Sequence, residues 1–288
     1  MLTVQYLGNV TRHQSARADL NQPVALSVGN TSGKLDVRPY PSAGPINGQL
    51  NAFSANYNAL GVKFDRRLSN DLQLLVSYSW QKALDNVDGD NNNIQSIYNP
   101  QLTYGLASFN RSQDLNISPI YFLPFGPGKR FANSNNIFNR ELIGGWELSG
   151  LQYFASGQPI SVSANNNADT SPNHGVYANL TCNPMRGFRR TRFNIFNPAC
   201  FAQPAAGQYG TTRSVGSQPR IFSTNLSVLK NFTITEHHQL QFRAEAYNLF
   251  NHPLFSTGGG GVTSPTLGIA TSQSNSPRLM QFGLRYSF

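Results

Sequence analysis

Apolar and polar residues alternate along the C-terminal end of the chain. One parity holds only apolar side chains, at Met280, Phe282, Leu284, Tyr286 and Phe288. The other parity holds small or polar residues, at Gln281, Gly283, Arg285 and Ser287. Because a β-strand directs these two sets to opposite faces, this alternation predicts a strand with one apolar and one polar face.

Similar alternation recurs along the rest of the chain. Leu72, Leu74, Val76, Tyr78 and Trp80 share one parity, with Leu75 as the single exception on the other. Two segments, about 144–160 and 219–232, are strand-like but alternate less regularly. In all, the pattern predicts eight strands, near residues 2–6, 55–68, 72–85, 114–123, 144–160, 219–232, 238–250 and 278–288.

The links between these strands differ in length in a regular way. Short polar turns are predicted at Ser69–Asp71 and Thr235–His237. Long links are predicted at 13–53, 86–111, 166–218 and 254–276. If Phe288 ends at the periplasmic side, both short turns fall on that side and every long link on the other, as in outer-membrane barrels. The link 126–143 is long for the periplasmic side, and we expect an extended hairpin or a small subdomain there.

Composition supports a membrane barrel over a helical membrane protein. Only 12% of the residues are charged and 39% are hydrophobic, while the mean hydropathy is −0.36. A membrane helix needs about 20 consecutive apolar residues, and the densest stretches, such as Leu72–Val76, are far shorter. The net charge of +9 is spread over many segments, which disfavours nucleic-acid binding.

The N-terminal residues Met1–Tyr6 contain no basic region, apolar core or cleavage site of a secretory signal. Eight strands of a larger barrel would also leave two open edges, and unpaired backbone groups are costly in lipid. We therefore interpret the chain as a truncated gene product or partial gene model.

Several motifs carry a resemblance to a known family. Arg278–Phe288 looks like the terminal strand recognised by the bacterial barrel-assembly machinery, with Phe282, Leu284, Tyr286 and Phe288 as its aromatic or apolar positions. Phe242–Phe255 is similar to the penultimate-strand motif of the Oar-like branch of TonB-dependent receptors. Further matching stretches, in the order expected for the last third of such a receptor, are Tyr6–Asn9, Tyr78–Trp80, Leu123–Gly126, Gly144–Gly150 and Phe196–Phe201.

This resemblance implies an all-β antiparallel transmembrane barrel of about 22 strands with a plugged lumen. Residues 1–288 would form a single partial barrel domain, about eight strands, with the plug domain absent. The implied protein is an outer-membrane transporter whose external loops capture an unknown small-molecule, peptide or glycan substrate. Its expected partners are outer-membrane lipid, the barrel-assembly machinery, and TonB through the missing plug segment.

Cys182 and Cys200 are the only cysteines, and both fall in the longest predicted external link. The cell exterior is oxidising, so a disulfide is expected, with a contribution of about 3 kcal/mol to local order. The alternative is two free thiols in a cytoplasmic protein.

Four arginines lie between those cysteines: Arg186, Arg189, Arg190 and Arg192. One hypothesis is an anionic-ligand loop, which would attract an anionic ligand or lipid phosphates. The alternative is a solvated loop without a ligand.

Other groups of residues do not match a metal-binding, phosphate-binding or catalytic motif. Asp85, Asp88 and Asp90 resemble a calcium loop only loosely, because the glycine and distal glutamate are not in place. Gly258–Gly261 lacks a phosphate-loop spacing, and His237 and His238 would point apart. No nucleophile elbow, paired carboxylates or zincin spacing is present. We expect no enzyme activity, no metal and no cofactor.

Two other architectures share some of these features. A secreted β-sandwich for binding or adhesion would also alternate apolar and polar residues. A self-contained eight-stranded outer-membrane barrel, including a lipid-modifying enzyme, would share the strand number. The asymmetric link lengths and the terminal aromatic favour the receptor barrel over both.

Overall fold

Eight long antiparallel strands dominate the fold. The structure, a computed structural model, describes residues 1–23, 38–69, 71–88, 94–164, 175–191, 193–205, 208–211, 213–235, 237–257 and 260–288. The strands are β1 (Leu2–Asp19), β2 (Asn47–Ser69), β3 (Leu72–Asp85), β4 (Gln113–Phe122), β5 (Trp146–Ala155), β6 (Ile221–Thr233), β7 (Gln239–Tyr247) and β8 (Leu279–Ser287). Each pairs with the next in chain order, and a short strand, Gly105–Leu106, pairs with β3. The expected antiparallel barrel segment of about eight strands is confirmed.

Strands β1 and β2 are longer than the alternation predicted. Their pairing continues to Asp19 opposite Asn47, so the first long link covers 20–46 rather than 13–53. The register shifts on either side of Gln14, and His13 has a φ of 56°. Such a bulge reverses the parity of the following residues, which hides the outer part of β1 from a period-2 search.

Apolar side chains of neighbouring strands share one face of the sheet. Register partners form a continuous row across six strands, made of Val4, Val62, Tyr78, Leu115, Phe154 and Phe222. On β8, Phe282 is 68% and Leu284 is 72% exposed. No second layer of described residues covers this face, so the β-sandwich alternative is wrong.

The sheet has two free edges, β1 and β8. Within the described residues no backbone pairing joins them, so the eight strands do not close into a barrel of their own. The apolar face, rather than a protein core, is the surface that a membrane would cover. No helix in the described part of the chain is long and apolar enough to cross a membrane.

The buried cores lie at the outer ends of the strands and beyond them. We call the described residues of the links 20–46, 86–112, 156–220 and 248–278 the loop cap. One buried cluster contains Ile160, Val162, Ala178, Ile195, Phe196, Cys200, Phe201 and Leu267. A second contains Ala16, Ala18, Phe53, Val87 and Ile94. The long links are therefore packed against one another and against the strand ends.

Short elements support this packing. Three two-stranded sheets lie in the cap: Ser163–Ala164 with Val176–Tyr177, Asn179–Leu180 with Phe201–Ala202, and Phe255–Thr257 with Ala270–Gln273. Three 3-10 turns, Pro41–Ala43, Pro100–Thr103 and Pro198–Cys200, also belong to the cap. They divide the long links into short, hydrogen-bonded segments.

The link between β4 and β5 lies at the opposite end of the sheet. It holds a bridge between Phe125 and Phe131 and a π-helix, Asn139–Ile143, rather than an extended hairpin. The Lys230 ammonium group donates to the Gly144 carbonyl oxygen and lies 4.6 Å from the Phe232 ring centroid. The hydrogen bond to Gly144 joins the link to the inner end of β6.

Replacing Gly145 with alanine is expected to destabilise this end of the sheet by about 1–3 kcal/mol, because a non-glycine residue is strained at positive φ. Gly145 has a φ of +71°, and an added Cβ would lie 2.6 Å from the Asn231 carbonyl oxygen. The measurement is the urea midpoint of unfolding in detergent micelles. Gly283→Ala is the matched control, since its added Cβ would meet nothing within 4 Å. Equal midpoints for the two variants would contradict the prediction.

Candidate functional site at the outer loop cap

A buried ion cluster joins the longest link to the outer end of β3. The Arg213 side chain is 4% exposed, and its two Nη atoms donate separately to the carboxylates of Asp85 and Asp88. Arg213 Nη1 also donates to the Asp85 carbonyl oxygen at 2.8 Å. One guanidinium thus holds two segments that are far apart in sequence. The two aspartates, loosely suggestive of a calcium loop, bind an arginine here, and Asp90 lies outside the described residues.

The charges of Arg213 and Asp88 stabilise each other. Burial of the Asp88 carboxyl favours its neutral form, but the charge and hydrogen bond of Arg213 outweigh burial, so the pKa of Asp88 is lowered. Burial opposes the charged guanidinium as well, yet the carboxylates of Asp85 and Asp88 raise the pKa of Arg213. Arg213 and Asp88 therefore remain ionised at neutral pH.

The side-chain amide of Gln95 forms a second set of hydrogen bonds between links. Its Nε2 donates to the carbonyl oxygens of Leu102 at 3.0 Å and Gly210 at 3.2 Å. Its Oε1 accepts from the backbone N–H groups of Tyr177 at 3.1 Å and Gly210 at 3.0 Å. Gln95 is 0% exposed, and a buried amide with all these partners specifies one arrangement of the segments it joins.

Asp19 organises the first link in the same way. Its carboxylate pairs with Arg38 at 2.5 Å and accepts from the backbone N–H groups of Asn21 at 2.9 Å and Ile46 at 2.8 Å. The Gln22 side chain then donates to the Gln95 carbonyl oxygen at 2.9 Å. The first link is thereby connected to the centre of the cap.

Cys182 and Cys200 form a disulfide in the structure, with their Cα atoms 4.8 Å apart. Cys200 is buried beside the Phe196 and Phe201 rings, whose centroids are 5.5 Å apart. Asn197 caps the short 3-10 turn by accepting from the Ala199 N–H at 3.1 Å. The Phe196–Phe201 motif thus anchors the disulfide in the larger buried cluster.

The role of the four arginines between the cysteines as one anionic-ligand loop stays a prediction. Arg186, Arg189 and Arg190 are all exposed, and Arg192 lies outside the described residues. Arg190 lines a cavity of about 420 Å³ together with Arg220. Arg220 precedes β6 and lies outside the arginine-rich segment between the cysteines, so no local pattern marks it as a site residue.

The Phe242–Phe255 motif spans the second half of β7 and the turn that follows it. Asn248 and Asn251 have φ values of 50° and 51°, a region that asparagine tolerates better than most residues. Asn248 Oδ1 accepts from the His252 N–H at 2.9 Å, and its Nδ2 donates to the Ser276 carbonyl oxygen at 3.1 Å. Asparagine therefore has a structural reason to be present at this turn.

The terminal-strand residues lie on the free edge strand β8. Phe282, Leu284, Tyr286 and Phe288 are exposed on the apolar face, which leaves their role in barrel assembly a prediction. The Tyr286 hydroxyl lies 2.6 Å from His238 Nδ1, and the two rings are stacked. In the described part of the chain, no group of three or more His, Cys, Asp or Glu residues is placed to hold a metal ion.

Comparisons with known proteins give a family and similar solved structures. A family model described as "Outer membrane beta barrel domain" matches residues 1–281. The crystal structure of the outer membrane transporter YddB from Escherichia coli aligns with a TM-score of 0.48 and 9% identity. That alignment covers 99% of this chain and 30% of the transporter. No curated protein matches the chain.

Proposed function

The chain belongs to the family of outer membrane β-barrel domains, and on that premise we propose that it forms the wall and external ligand-capturing loops of a TonB-dependent receptor. The proposed branch is the Oar-like one, and the proposed activity is uptake of a small molecule, peptide or glycan across the outer membrane. The chain spans 30% of the length of the transporter it resembles, so the activity is proposed for the whole receptor.

Membership in this family places the protein in the bacterial outer membrane. In such barrels the short turns face the periplasm and the long links face the exterior. The loop cap is then external, and the polar face of the sheet borders the lumen. A ligand arriving from outside meets the cap before it reaches the lumen.

The observation that carries the proposal is the packed state of the cap. Arg213, Gln95 and Asp19 join links that begin at different strands, and the disulfide closes a part of the longest one. Binding costs less when the binding surface is ordered beforehand. A cap with its own buried clusters is therefore suited to capture a ligand, whereas unstructured loops would have to be ordered by it.

The finer assignment to the Oar-like branch rests on the motifs. The two motifs Phe242–Phe255 and Gly144–Gly150 include turn residues with positive φ, at Asn248, Asn251 and Gly145. Phe288 supplies the terminal aromatic. In the proposal, TonB acts through a plug segment outside these residues, and the barrel-assembly machinery recognises β8. No residue of the chain is assigned catalysis, a cofactor or nucleic-acid binding.

The test measures uptake in the source bacterium. Cells that lack this gene, cells that lack tonB and wild-type cells are supplied with a labelled ferric siderophore, a labelled peptide mixture and labelled oligosaccharides. We expect one substrate class to be lost in both mutants and restored by the full-length gene. Surface binding of that substrate is expected to persist without tonB, because capture by the cap precedes the energised step.

Two results would contradict the proposal. Uptake that requires this gene but not tonB would indicate a passive channel. Uptake of every class at the wild-type rate in the gene deletion would remove the transport assignment for these substrates. A matched control is the deletion strain carrying the gene with exposed Arg189 replaced by glutamine, for which we expect wild-type uptake.

A further inference from the structure

Two arginines line a cleft on the outer rim of the sheet. Adjoining cavities of about 570 and 420 Å³ share Thr191, Pro219 and Arg220 as lining residues. Arg190 lines the smaller cavity, and His252 lines the larger one. We call this space the arginine cleft.

The positive charge in the cleft has no described carboxylate to balance it. Arg190 Nη2 donates to the Ser217 carbonyl oxygen at 2.7 Å, a neutral acceptor. Neither Arg190 nor Arg220 forms an ion pair with a described acidic residue. Partial burial and the neighbouring charge of Arg220 lower the pKa of Arg190. Two guanidinium groups that repel each other would be stabilised by an anion between them.

The cleft lies on the membrane-facing side. Phe222, near the start of β6, has the parity of Leu226 and Val228 and belongs to the apolar row of the sheet. The His252 ring, which lines the cleft, contacts the Phe222 ring at a centroid distance of 5.5 Å. The Phe250 ring stacks on Phe222 at 6.0 Å, and the Phe154 ring contacts Phe222 in a tilted arrangement at 4.9 Å.

These aromatic rings indicate where the cleft lies relative to the membrane interface. Amphipathic and aromatic rings concentrate where the apolar band of a barrel meets the membrane–water interface. The cleft lies at the outer-end side of this group, because Arg220 precedes β6 and Asn251–His252 follow the outer end of β7. A membrane that covers the apolar face would bring the headgroups of its outer leaflet near the two guanidinium groups.

We propose that the arginine cleft binds the phosphate of an outer-leaflet lipid headgroup. Arg190 and Arg220 supply the positive charge and the hydrogen-bond donors, and Phe154, Phe222 and Phe250 contact the upper part of the acyl chains. Arginine is well suited to this role because its planar fork binds phosphate bidentately. The site would fix the barrel in the outer leaflet and is separate from substrate uptake through the lumen.

The test measures binding of bisphosphorylated and dephosphorylated lipid A to the full-length protein purified from outer membranes in detergent. We expect the wild-type protein to bind the bisphosphorylated form at least about tenfold more tightly. The double variant Arg190→Gln/Arg220→Gln is expected to lose about tenfold in affinity for that form. Arg190→Lys/Arg220→Lys keeps the charge and is expected to retain most of the affinity.

The matched control is Arg186→Gln/Arg189→Gln, which removes two exposed arginines of the same link, and its affinity is expected to change less than about twofold. Equal losses in the two glutamine variants would mean diffuse attraction and overturn the proposal. So would an unchanged affinity in Arg190→Gln/Arg220→Gln, or equal binding of both lipid forms by the wild type. Inorganic phosphate competing at the same concentration as the lipid would identify a free-anion site instead.

Discussion

Replacing Arg213 with methionine is expected to destabilise the loop cap locally by about 3–5 kcal/mol, the usual cost of breaking a buried ion pair from one side. The variant leaves the carboxylates of Asp85 and Asp88 close together without the guanidinium that both contact. The measurement is hydrogen exchange of the full-length protein in detergent micelles. We expect faster exchange of the Ala178 and Gly210 amides, which bond to cap residues, while amides of β7 stay protected.

The control separates the ion cluster from a general effect of losing a cap arginine. Arg189→Met removes an exposed arginine of the same link and is expected to leave exchange unchanged. Adding Asp85→Asn and Asp88→Asn to Arg213→Met removes the uncompensated charges, and part of the protection is expected to return. Wild-type exchange in Arg213→Met would show that the buried clusters hold the cap without this ion pair.

The strands could be predicted because a membrane imposes a simple rule on them. Each residue that faces lipid must be apolar, so period-2 alternation is strong in β3 and β8. The rule ends where a strand leaves the membrane. The outer part of β1 is polar, passes a bulge near Gln14 and pairs as far as Asp19, and no lipid contact marks it in the sequence.

The interior of the cap could not be predicted, because its hydrogen bonds and ion pairs join residues that no local sequence pattern connects. Arg213 meets Asp85 across a separation of 128 residues, and Gln95 meets Gly210 across 115. A single arginine or glutamine in a polar link looks like a solvated residue. Only packing of the links around Ile195 and Phe196 turns these side chains into buried partners.

The disulfide and the arginine loop were predicted from the sequence on grounds of different strength. Two cysteines in an external link predict their own pairing, whatever the fold, and the structure pairs them. The anionic-ligand loop was predicted only because four arginines lie close together in the sequence. In the fold, Arg190 lines a cavity with Arg220, which lies next to a strand rather than in the dense segment.

Replacing Cys182 and Cys200 together with alanine is expected to destabilise the larger buried cluster of the cap by about 3 kcal/mol, as for a closed loop of similar length. The disulfide closes a segment with a sequence separation of 18, and one of its ends is buried with Phe196 and Phe201. The measurement is limited proteolysis between residues 182 and 200, together with hydrogen exchange of the Thr181 amide, which donates to the Cys200 carbonyl oxygen at 2.9 Å.

Reduction of the wild-type protein supplies the matched comparison, since it opens the same loop without changing side-chain volume at Cys200. We expect reduced wild type and the double alanine variant to show the same rise in cleavage, and β5 and β6 to remain intact in both. A rise only in the alanine variant would assign the effect to the lost side-chain packing. Equal resistance of oxidised and reduced protein would mean that the Phe196–Phe201 contact alone holds the segment, because loop closure would then add nothing to its order.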